Sequence, residues 1–378
     1  MNFFIELLQV ALGTREKMSR VLDVREWMDL LDEASKQALV GVMLCGVERL
    51  PVEQLPPKKA ILMQWIGLAQ MIEFKNQYTT KACVNVCRQF EKNGFKTCVL
   101  KGQANHRYYP EEMRKRRSCG DVDVWVVPNE CSKNPVKKVL NYVKGKYGLT
   151  GLCWLHCNFN EGEVPVEVHF HPSYMNEPCK NRKFLQLFEF RRCVVLGEVD
   201  GEVLPVMRVN MDVIFQMSHI YRHLLDEGVG MRQIVDYYYV LRRYREECFS
   251  QGDASSHVFV DDSLIQVIRN LGMMRFATAL MWVLHTVCCM PLCDLLCNPS
   301  EKEGRFLLEE IITSGNFGQA DPRMAELNTS SVSKRRISQA WRRFKRNMRF
   351  LTFYPEEVVW EPFARLFHFT WKALGLWK

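Results

Sequence analysis

The sequence predicts an α+β fold in which a small mixed-sheet core is flanked by N- and C-terminal helical regions. Two observations favour this fold. Apolar residues recur at helical spacing towards both ends of the chain, and short β-type runs separated by turn residues fill the middle. We therefore divide the 378 residues into an N-terminal helical region (1–94), an α/β core (95–206) and a C-terminal helical region (207–378).

The N-terminal region is predicted to be helical. Its clearest helix carries Trp65, Ile72 and further apolar positions as far as Phe90, and Asn93-Gly94 is a typical stop signal. The apolar N-terminus has no Lys or Arg before its apolar run and is interrupted by Glu6. We interpret it as a first amphipathic helix rather than a signal peptide.

The core is predicted to combine strands with one helix. Its elements in chain order are strands at 95–100 and 121–127, a helix at 136–143, strands at 149–159 and 164–170 joined by a turn at 160–162, and a β-rich piece at 192–205.

The C-terminal region returns to helical periodicity from residue 210. A predicted loop at 250–262 and a predicted linker at 314–334 interrupt it. The longest charge-free stretch, 276–293, contains His285 and Pro291, so we interpret it as a buried helix and expect no integral membrane span.

Composition excludes several classes of protein. Hydrophobic residues make up 47% and charged residues 25% of the chain, which rules out collagen, low-complexity disorder and a disulfide-stapled miniprotein. An odd number of cysteines, 15, predicts reduced thiols and a cytoplasmic location. The formal charge of +8 is local, because residues 334–349 hold eight Lys and Arg and no acid.

Asp121 and Asp123 lie two residues apart on a predicted strand. Because side chains alternate along a strand, both carboxylates should project from one face while the intervening valines pack on the other. Glu167 alternates with valines in the same way on a later strand. Clustered carboxylates can hold the Mg²⁺ ions that phosphoryl transfer requires. Each residue alone is equally well interpreted as structural or solvated, so the hypothesis depends on their order and phasing.

Lys101-Gly102 follows the first predicted strand, at a point where a helix should begin. Backbone N–H groups and a Lys charge in this position suit a triphosphate. The alternative interpretation is an ordinary turn.

These residues belong to a longer motif. The segments VLKGQANHRYYPEEMRKRRSCGDVDVWVVP and VPVEVHFHPS resemble the "LKG…YP…R…GDIDLLV" and "EiHW" signatures of an uncharacterised bacterial nucleotidyltransferase family in the DNA polymerase β superfamily. The matching residues are Lys101, Gly102, Tyr109, Pro110, Arg117, Gly120, Asp121, Asp123, Glu167, Val168 and His169. A later helical segment resembles that of the family through His219, His223, Arg232 and Asp236.

The resemblance implies an enzyme that uses Mg²⁺, or Mn²⁺, to move a nucleoside monophosphate from an NTP to an acceptor hydroxyl. Asp121, Asp123 and Glu167 would bind metal and carry the catalysis, with Glu167 also accepting the proton of the acceptor. The residues expected to contact the nucleotide are Lys101, Gly102, Gln103, Arg117 and Gly120. A protein, an RNA end and a small molecule all stay open as the acceptor.

One departure from the family pattern keeps a second interpretation open. Well-characterised nucleotidyltransferases begin this site with Gly-Ser, whereas this chain has Gly102-Gln103. A catalytically decayed nucleotide- or RNA-binding module is therefore the alternative. His169, Arg232 and Asp236 are further candidates for the cleft, against the simpler interpretations of a hydrogen-bonded strand histidine and a surface ion pair.

Residues 335–350 are predicted to form a helix with an apolar stripe that includes Trp341, Phe344 and Met348. We expect the stripe to be buried against the helical regions and the basic face to stay exposed, because a large apolar side chain left in water forfeits about 1.5–3 kcal/mol. Peripheral contact of residues 334–349 with an anionic membrane surface or with RNA is the alternative.

Overall fold

The computed structural model describes residues 2–250, 262–324 and 332–375, and its architecture confirms the predicted fold class. One mixed sheet of seven strands lies between helices from the two ends of the chain. Most of the predicted loop at 250–262 and part of the predicted linker at 314–334 lie outside the described residues.

The N-terminal region consists of helices, as expected. They are α1 (Asn2–Leu12), α2 (Val24–Lys36), α3 (Val40–Arg49) and α4 (Lys59–Lys92). A capping box between Asp23 and Glu26 begins α2, because each side chain accepts a hydrogen bond from the other residue's backbone N–H. The predicted stop of α4 is confirmed: the helix ends before Asn93, and Gly94 adopts φ +82°.

The core supplies the sheet. Its strands are β1 (Phe95–Val99), β2 (Val122–Pro128), β3 (Gly151–Leu152), β4 (His156–Glu161), β5 (Val164–His169), β6 (Val194–Val199) and β7 (Glu202–Met207). The spatial order is β3-β4-β5-β2-β1-β7-β6, with β1 antiparallel to β2 and β2 parallel to β5. The run expected at 149–159 is two short strands, because the backbone turns where the Cys153 N–H bonds the carbonyl of His156.

Short helices connect the strands. They are α5 (Glu111–Arg114), α6 (Pro135–Lys146), α7 (Pro178–Leu187) and α8 (Phe190–Cys193).

The C-terminal region is helical in its described parts. Its helices are α9 (Val209–Asp226), α10 (Met231–Ser250), α11 (Asp262–Asn270), α12 (Met274–Cys288), α13 (Glu301–Ser314), α14 (Val332–Leu351) and α15 (Pro355–Leu374). The charge-free stretch mostly forms α12, whose apolar side chains are largely buried. Within the ranges that the structure describes, no helix has the length and apolar character needed to cross a bilayer.

Helices cover both faces of the sheet. On one face, Val122 and Val124 pack in an apolar cluster with Val84 and Phe90 of α4. On the other face, Trp125 belongs to the large cluster that includes α9 and α10. Because side chains alternate along β2, Asp123 shares the face of Trp125 and lies between the sheet and the C-terminal helices.

The expectation that the apolar stripe of the tail helix is buried is wrong. Trp341 is 56% exposed, and Phe344 and Met348 are each 52% exposed. Two cations of the basic side face the protein instead: Arg346 is buried and donates to the carbonyl of Asp226, and Arg349 Nη2 lies 3.0 Å from Glu310 Oε2. The carbonyl-rich end of α9 carries the negative end of its helix dipole, so it favours a cation over an apolar stripe.

Candidate active site

The site forms where β1 ends and β2 begins. Lys101 follows β1, and the antiparallel pairing of β1 with β2 brings Lys101 next to the start of β2. The parallel pairing of β2 with β5 places Asp123 opposite Glu167. The alternation seen in the sequence thus holds locally, and Glu167 lies on the same face of the sheet as Asp123.

Asp123, Glu167 and His169 form the group best suited to a metal ion within the described ranges, with one ligand atom of each within 4.8 Å of the others. His169 Nε2 lies 3.0 Å from Asp123 Oδ1 and 3.5 Å from Glu167 Oε2. Two carboxylates and an imidazole can hold a divalent cation. Asp121 precedes β2 and is outside this group, although it lines the same cleft.

Lys101 forms an ion pair with the buried carboxylate of Asp123. Its Nζ lies 3.2 Å from Asp123 Oδ1, and Asp123 is fully buried. Burial opposes the charge of Lys101, but the negative charges of Asp123, Asp121 and Glu167 outweigh burial and raise its pKa. Lys101 is therefore a fixed positive charge at the edge of the cleft.

Two buried polar atoms of the group have no protein partner among the described residues. These atoms are Asp123 Oδ2 and His169 Nδ1. A buried carboxylate oxygen without a partner is costly in a protein interior. The free oxygen therefore fits a site that is completed by a bound cation or water.

The electrostatics of the group keep Glu167 ionised. Burial opposes its charge, but His169, His156 and Lys101 lower the pKa of Glu167 to about 2. Burial also opposes the charge of His169, yet its hydrogen bonds to Asp123 and Glu167 raise its pKa to about 9. Glu167 and His169 thus stabilise each other's charged forms.

A cleft of about 380 Å³ opens beside this group, between the sheet and α9. Its walls include Lys101, Asp121, Glu167 and His169, together with residues that the sequence did not single out for the site. These additional residues include His156, Tyr174, Arg222 and Phe317. Among them, the Arg222 guanidinium lies 4.1 Å from the centroid of the Tyr174 ring and donates to the Tyr174 hydroxyl at 2.6 Å.

A comparison with family models decides the family. The model of the family described as "Uncharacterised nucleotidyltransferase" matches residues 23–257, well over half of the chain. The chain belongs to this family. Searches of curated proteins and of solved structures give no match.

Membership of this family associates the chain with nucleotidyl transfer. The matched region contains the sheet, Lys101 and the carboxylate group, but not α11 to α15. An NTP is the substrate that a nucleotidyltransferase requires, whereas the family description names no acceptor.

Gly102 and Gln103 lie in a tightly packed part of the site. Gly102 has φ +59°, and a Cβ there would lie 3.3 Å from the Asp121 carbonyl oxygen. Glycine is therefore the residue that permits this approach. Gln103 is fully buried, and neither polar atom of its side chain has a protein partner among the described residues.

The structure places Arg117 in a buried ion pair. Its Nε lies 2.7 Å from Asp236 Oδ1 and its Nη2 lies 2.6 Å from Asp236 Oδ2. The Tyr109 hydroxyl donates to Asp236 Oδ1 at 2.7 Å. A guanidinium held in this bidentate way is largely committed to its carboxylate.

Arg232 and Asp236 are not the surface ion pair of the simpler interpretation. Both are buried, and Arg232 Nη1 donates to the carbonyl of Ser118 at 3.0 Å. Together with Gly120 and Arg117, they line a narrow cavity of about 30 Å³ that also reaches Lys101. His219 contacts both this cavity and the larger cleft.

Proposed function

We propose that this protein transfers a nucleoside monophosphate from an NTP to an acceptor hydroxyl in a reaction that depends on Mg²⁺ or Mn²⁺. One observation supports the proposal above all others. In a chain of the nucleotidyltransferase family, Asp123, Glu167 and His169 converge within 4.8 Å beside Lys101 and an open cleft.

The side chains divide into metal ligands and nucleotide contacts. We assign Asp121, Asp123 and Glu167 to a divalent ion, with His169 as a further ligand if the ion is Mn²⁺. Such an ion, when bound, neutralises charge on the phosphates and on the leaving pyrophosphate. The Lys101 ammonium supplies a fixed positive charge for the same phosphates, and the backbone at Gly102 permits close approach.

The transfer needs no reactant besides the NTP and the acceptor. The acceptor oxygen forms a bond to the α-phosphorus, the bond from that phosphorus to the bridging oxygen breaks, and pyrophosphate leaves. We assign the proton of the acceptor hydroxyl to Glu167, whose carboxylate lines the cleft.

Arg117 takes a different role from the nucleotide contact that the motif implied. We propose that its ion pair with Asp236 positions the segment from Ser118 to Asp121. Arg232 supports the same segment through the carbonyl of Ser118. Asp121 lines the cleft, and α10 supports the backbone segment that precedes it.

The alternative is a nucleotide- or RNA-binding module that has lost catalysis. Gln103 favours it, because a buried amide replaces the serine expected to contact phosphate. The free thiols of all 15 cysteines support a reducing compartment for either function.

Incubation with α-phosphate-labelled NTPs tests the proposal. We expect pyrophosphate release and labelled acceptor or labelled protein with Mg²⁺ or Mn²⁺, and neither with a chelator. Asp123→Asn should abolish both, because it removes the charge of a buried ligand at nearly unchanged volume. Asp29→Asn on the exposed side of α2 is the matched control and should behave as wild type.

Calorimetry with Mg²⁺·ATP separates the two functions. Binding that depends on metal and Asp123 but gives no turnover in the presence of protein, RNA and small-molecule acceptors would favour the decayed module. Binding that is the same in wild type, Asp121→Asn and Asp123→Asn would contradict both.

A further inference from the structure

The C-terminal hairpin, defined as α14 and α15, exposes an unusual amount of apolar surface. The two helices contact each other and are joined by residues 352–354. Its large apolar side chains that are at least 38% exposed are Trp341, Phe344, Met348, Val359, Trp360, Phe363, Leu366, Phe367, Phe369 and Leu374. Exposed apolar groups of this extent, in one continuous structural unit, mark an interaction surface.

Two open grooves run along α15. Between α14 and α15, Phe344, Leu366 and Phe369 line a groove of about 510 Å³. On the other side of α15, Phe363 and Phe367 line a groove of about 550 Å³ against α7. Both are shallow surface features, so the hairpin offers a broad face rather than one deep pocket for a single side chain.

The hairpin also carries most of the net charge of the protein. Residues 332–375 contain ten Lys and Arg against three Glu, hence +7 of the formal +8. Of the three acids, Glu357 and Glu361 are buried, and Glu356 pairs with Lys180. Lys345 is exposed, and its Nζ lies 5.5 Å from the centroid of the exposed Trp341 ring.

We propose that the C-terminal hairpin docks on the surface of an anionic phospholipid bilayer. Its exposed Trp and Phe rings would enter the boundary between headgroups and acyl chains, while the exposed Lys345 contacts lipid phosphates. This proposal is independent of whether the nucleotidyltransferase site is active.

The chemistry of the face selects a bilayer over other occupants. Tryptophan and phenylalanine beside cations are typical of helices that lie in the membrane interface. A second copy of the chain would bring two strongly positive hairpins together, which charge repulsion opposes. RNA would satisfy the cations but would leave aliphatic groups such as Met348, Leu366 and Leu374 in water.

Docking would bring the cleft close to lipid. His368 of α15 lines the cleft, whereas its neighbours Phe367 and Phe369 are exposed. The cleft and the apolar face are therefore separated by about one helix diameter, ~10–12 Å. A substrate held in the membrane surface would be within reach of the site.

Vesicle flotation of the full chain tests the proposal. We expect wild type to float with vesicles of phosphatidylglycerol and phosphatidylcholine at about 150 mM salt and to float less with phosphatidylcholine alone. Trp341→Ser combined with Phe344→Ser should reduce the bound fraction at least about tenfold, because two inserted rings are lost. Lys345→Glu should reduce binding to the anionic vesicles about fivefold or more and to phosphatidylcholine much less.

A matched pair of substitutions controls for general loss of exposed apolar surface. Met71 and Phe74 on α4 are 69% and 61% exposed and lie outside the hairpin, so Met71→Ser with Phe74→Ser should float like wild type. The four substituted apolar side chains are more than half exposed, and Lys345 is exposed as well. The variants should therefore keep the thermal transition of the wild type.

Four outcomes would overturn the proposal. They are no flotation of wild type with anionic vesicles, equal loss in the α4 control, retention on an RNA probe without vesicle binding, and a wild-type dimer that dissociates in the Trp341 and Phe344 variant without flotation.

Discussion

The two carboxylate oxygens of Asp123 have different surroundings. Oδ1 contacts both Lys101 and His169, whereas buried Oδ2 has no protein partner among the described residues. In the absence of a metal, Lys101 therefore balances much of the charge that a divalent ion would otherwise neutralise. Protein stability and metal binding should be linked through this residue.

Substitution of Lys101 tests that linkage. Lys101→Met should lower the free energy of unfolding by about 2–4 kcal/mol in chelator, because it leaves buried carboxylates short of a cation. Mn²⁺ should recover a larger share of stability in the variant than in wild type. Thermal unfolding with chelator and with Mn²⁺ measures both effects, and an equal response of the two proteins to Mn²⁺ would contradict the assignment.

The Arg117–Asp236 pair should contribute to stability in a non-additive way. Asp236→Asn should cost about 3–5 kcal/mol, because it leaves the Arg117 guanidinium buried without its charge partner. Arg117→Met combined with Asp236→Leu should cost less than the sum of the single changes. Denaturant titrations of the four proteins give the coupling energy, and additive costs would mean that the two residues act separately.

At the scale of elements, two helix glycines differ in their surroundings. A Cβ at Gly41 of α3 would lie 2.2 Å from the carbonyl oxygen of Arg116, whereas a Cβ at Gly67 of α4 would meet nothing within 4 Å. The first glycine therefore permits a close backbone approach, and the second only lowers helix propensity.

Paired alanine substitutions should show this difference. Gly41→Ala should lower the free energy of unfolding by about 1–3 kcal/mol through steric overlap. Gly67→Ala should raise it by up to about 1 kcal/mol through helix propensity. Chemical denaturation of both variants provides the measurement, and a neutral Gly41→Ala would show that α3 can shift without cost.

Docking of α15 on the sheet edge should weaken in acid. The Trp154 ring stacks on His171 and on His368, at centroid distances of 4.9 and 5.2 Å. Burial lowers the pKa of both histidines to about 4, helped by His169 near His171 and by Arg222 near His368. In the unfolded chain a histidine takes up a proton below its usual pKa of ~6.5, whereas in the folded protein these two stay neutral down to a pH of about 4. Their contribution to the free energy of unfolding is therefore fully present above pH ~6.5 and is lost as the pH falls below it.

That stabilisation should fall as the pH drops from ~6.5 towards ~4. We expect a loss of about 1–2 kcal/mol from the pair between about pH 7 and pH 5, after allowance for partial exposure. His368→Phe keeps the stack and should flatten the pH dependence, which denaturant titrations at the two pH values can measure. An unchanged slope in the variant would assign the acid sensitivity to other groups.

Short-range sequence patterns predicted the secondary-structure elements better than the contacts between those elements. Alternation located the common face of Asp123 and Glu167, because a strand fixes the direction of each side chain. The periodicity of α14 revealed an apolar stripe but could not show that Glu310 and the end of α9 would attract the opposite side. The burial of Arg117 could not be predicted either, since its ion-pair partner Asp236 lies 119 positions away along the chain.

At the scale of the whole molecule, the boundaries 1–94, 95–206 and 207–378 stay a prediction, and the packing argues that the three parts depend on each other. Val84 and Phe90 of α4 belong to the apolar cluster on one face of the sheet. Val213 of α9 belongs to the same cluster as Leu100 and Trp125 on the other face. Each face of the core is therefore covered by helices from outside residues 95–206.

The isolated core should consequently fail to fold by itself. A fragment of residues 95–206 would expose both apolar faces of its sheet to water, at a cost of ~25 cal/mol for each Å² of apolar area left unburied. We expect it to show no cooperative thermal transition, whereas residues 59–226, which add α4 and α9, should regain one. Circular dichroism and tryptophan fluorescence of the two fragments are the measurement. A cooperative, concentration-independent transition of residues 95–206 alone would mean that the sheet is an autonomous domain and that its helical neighbours are accessory.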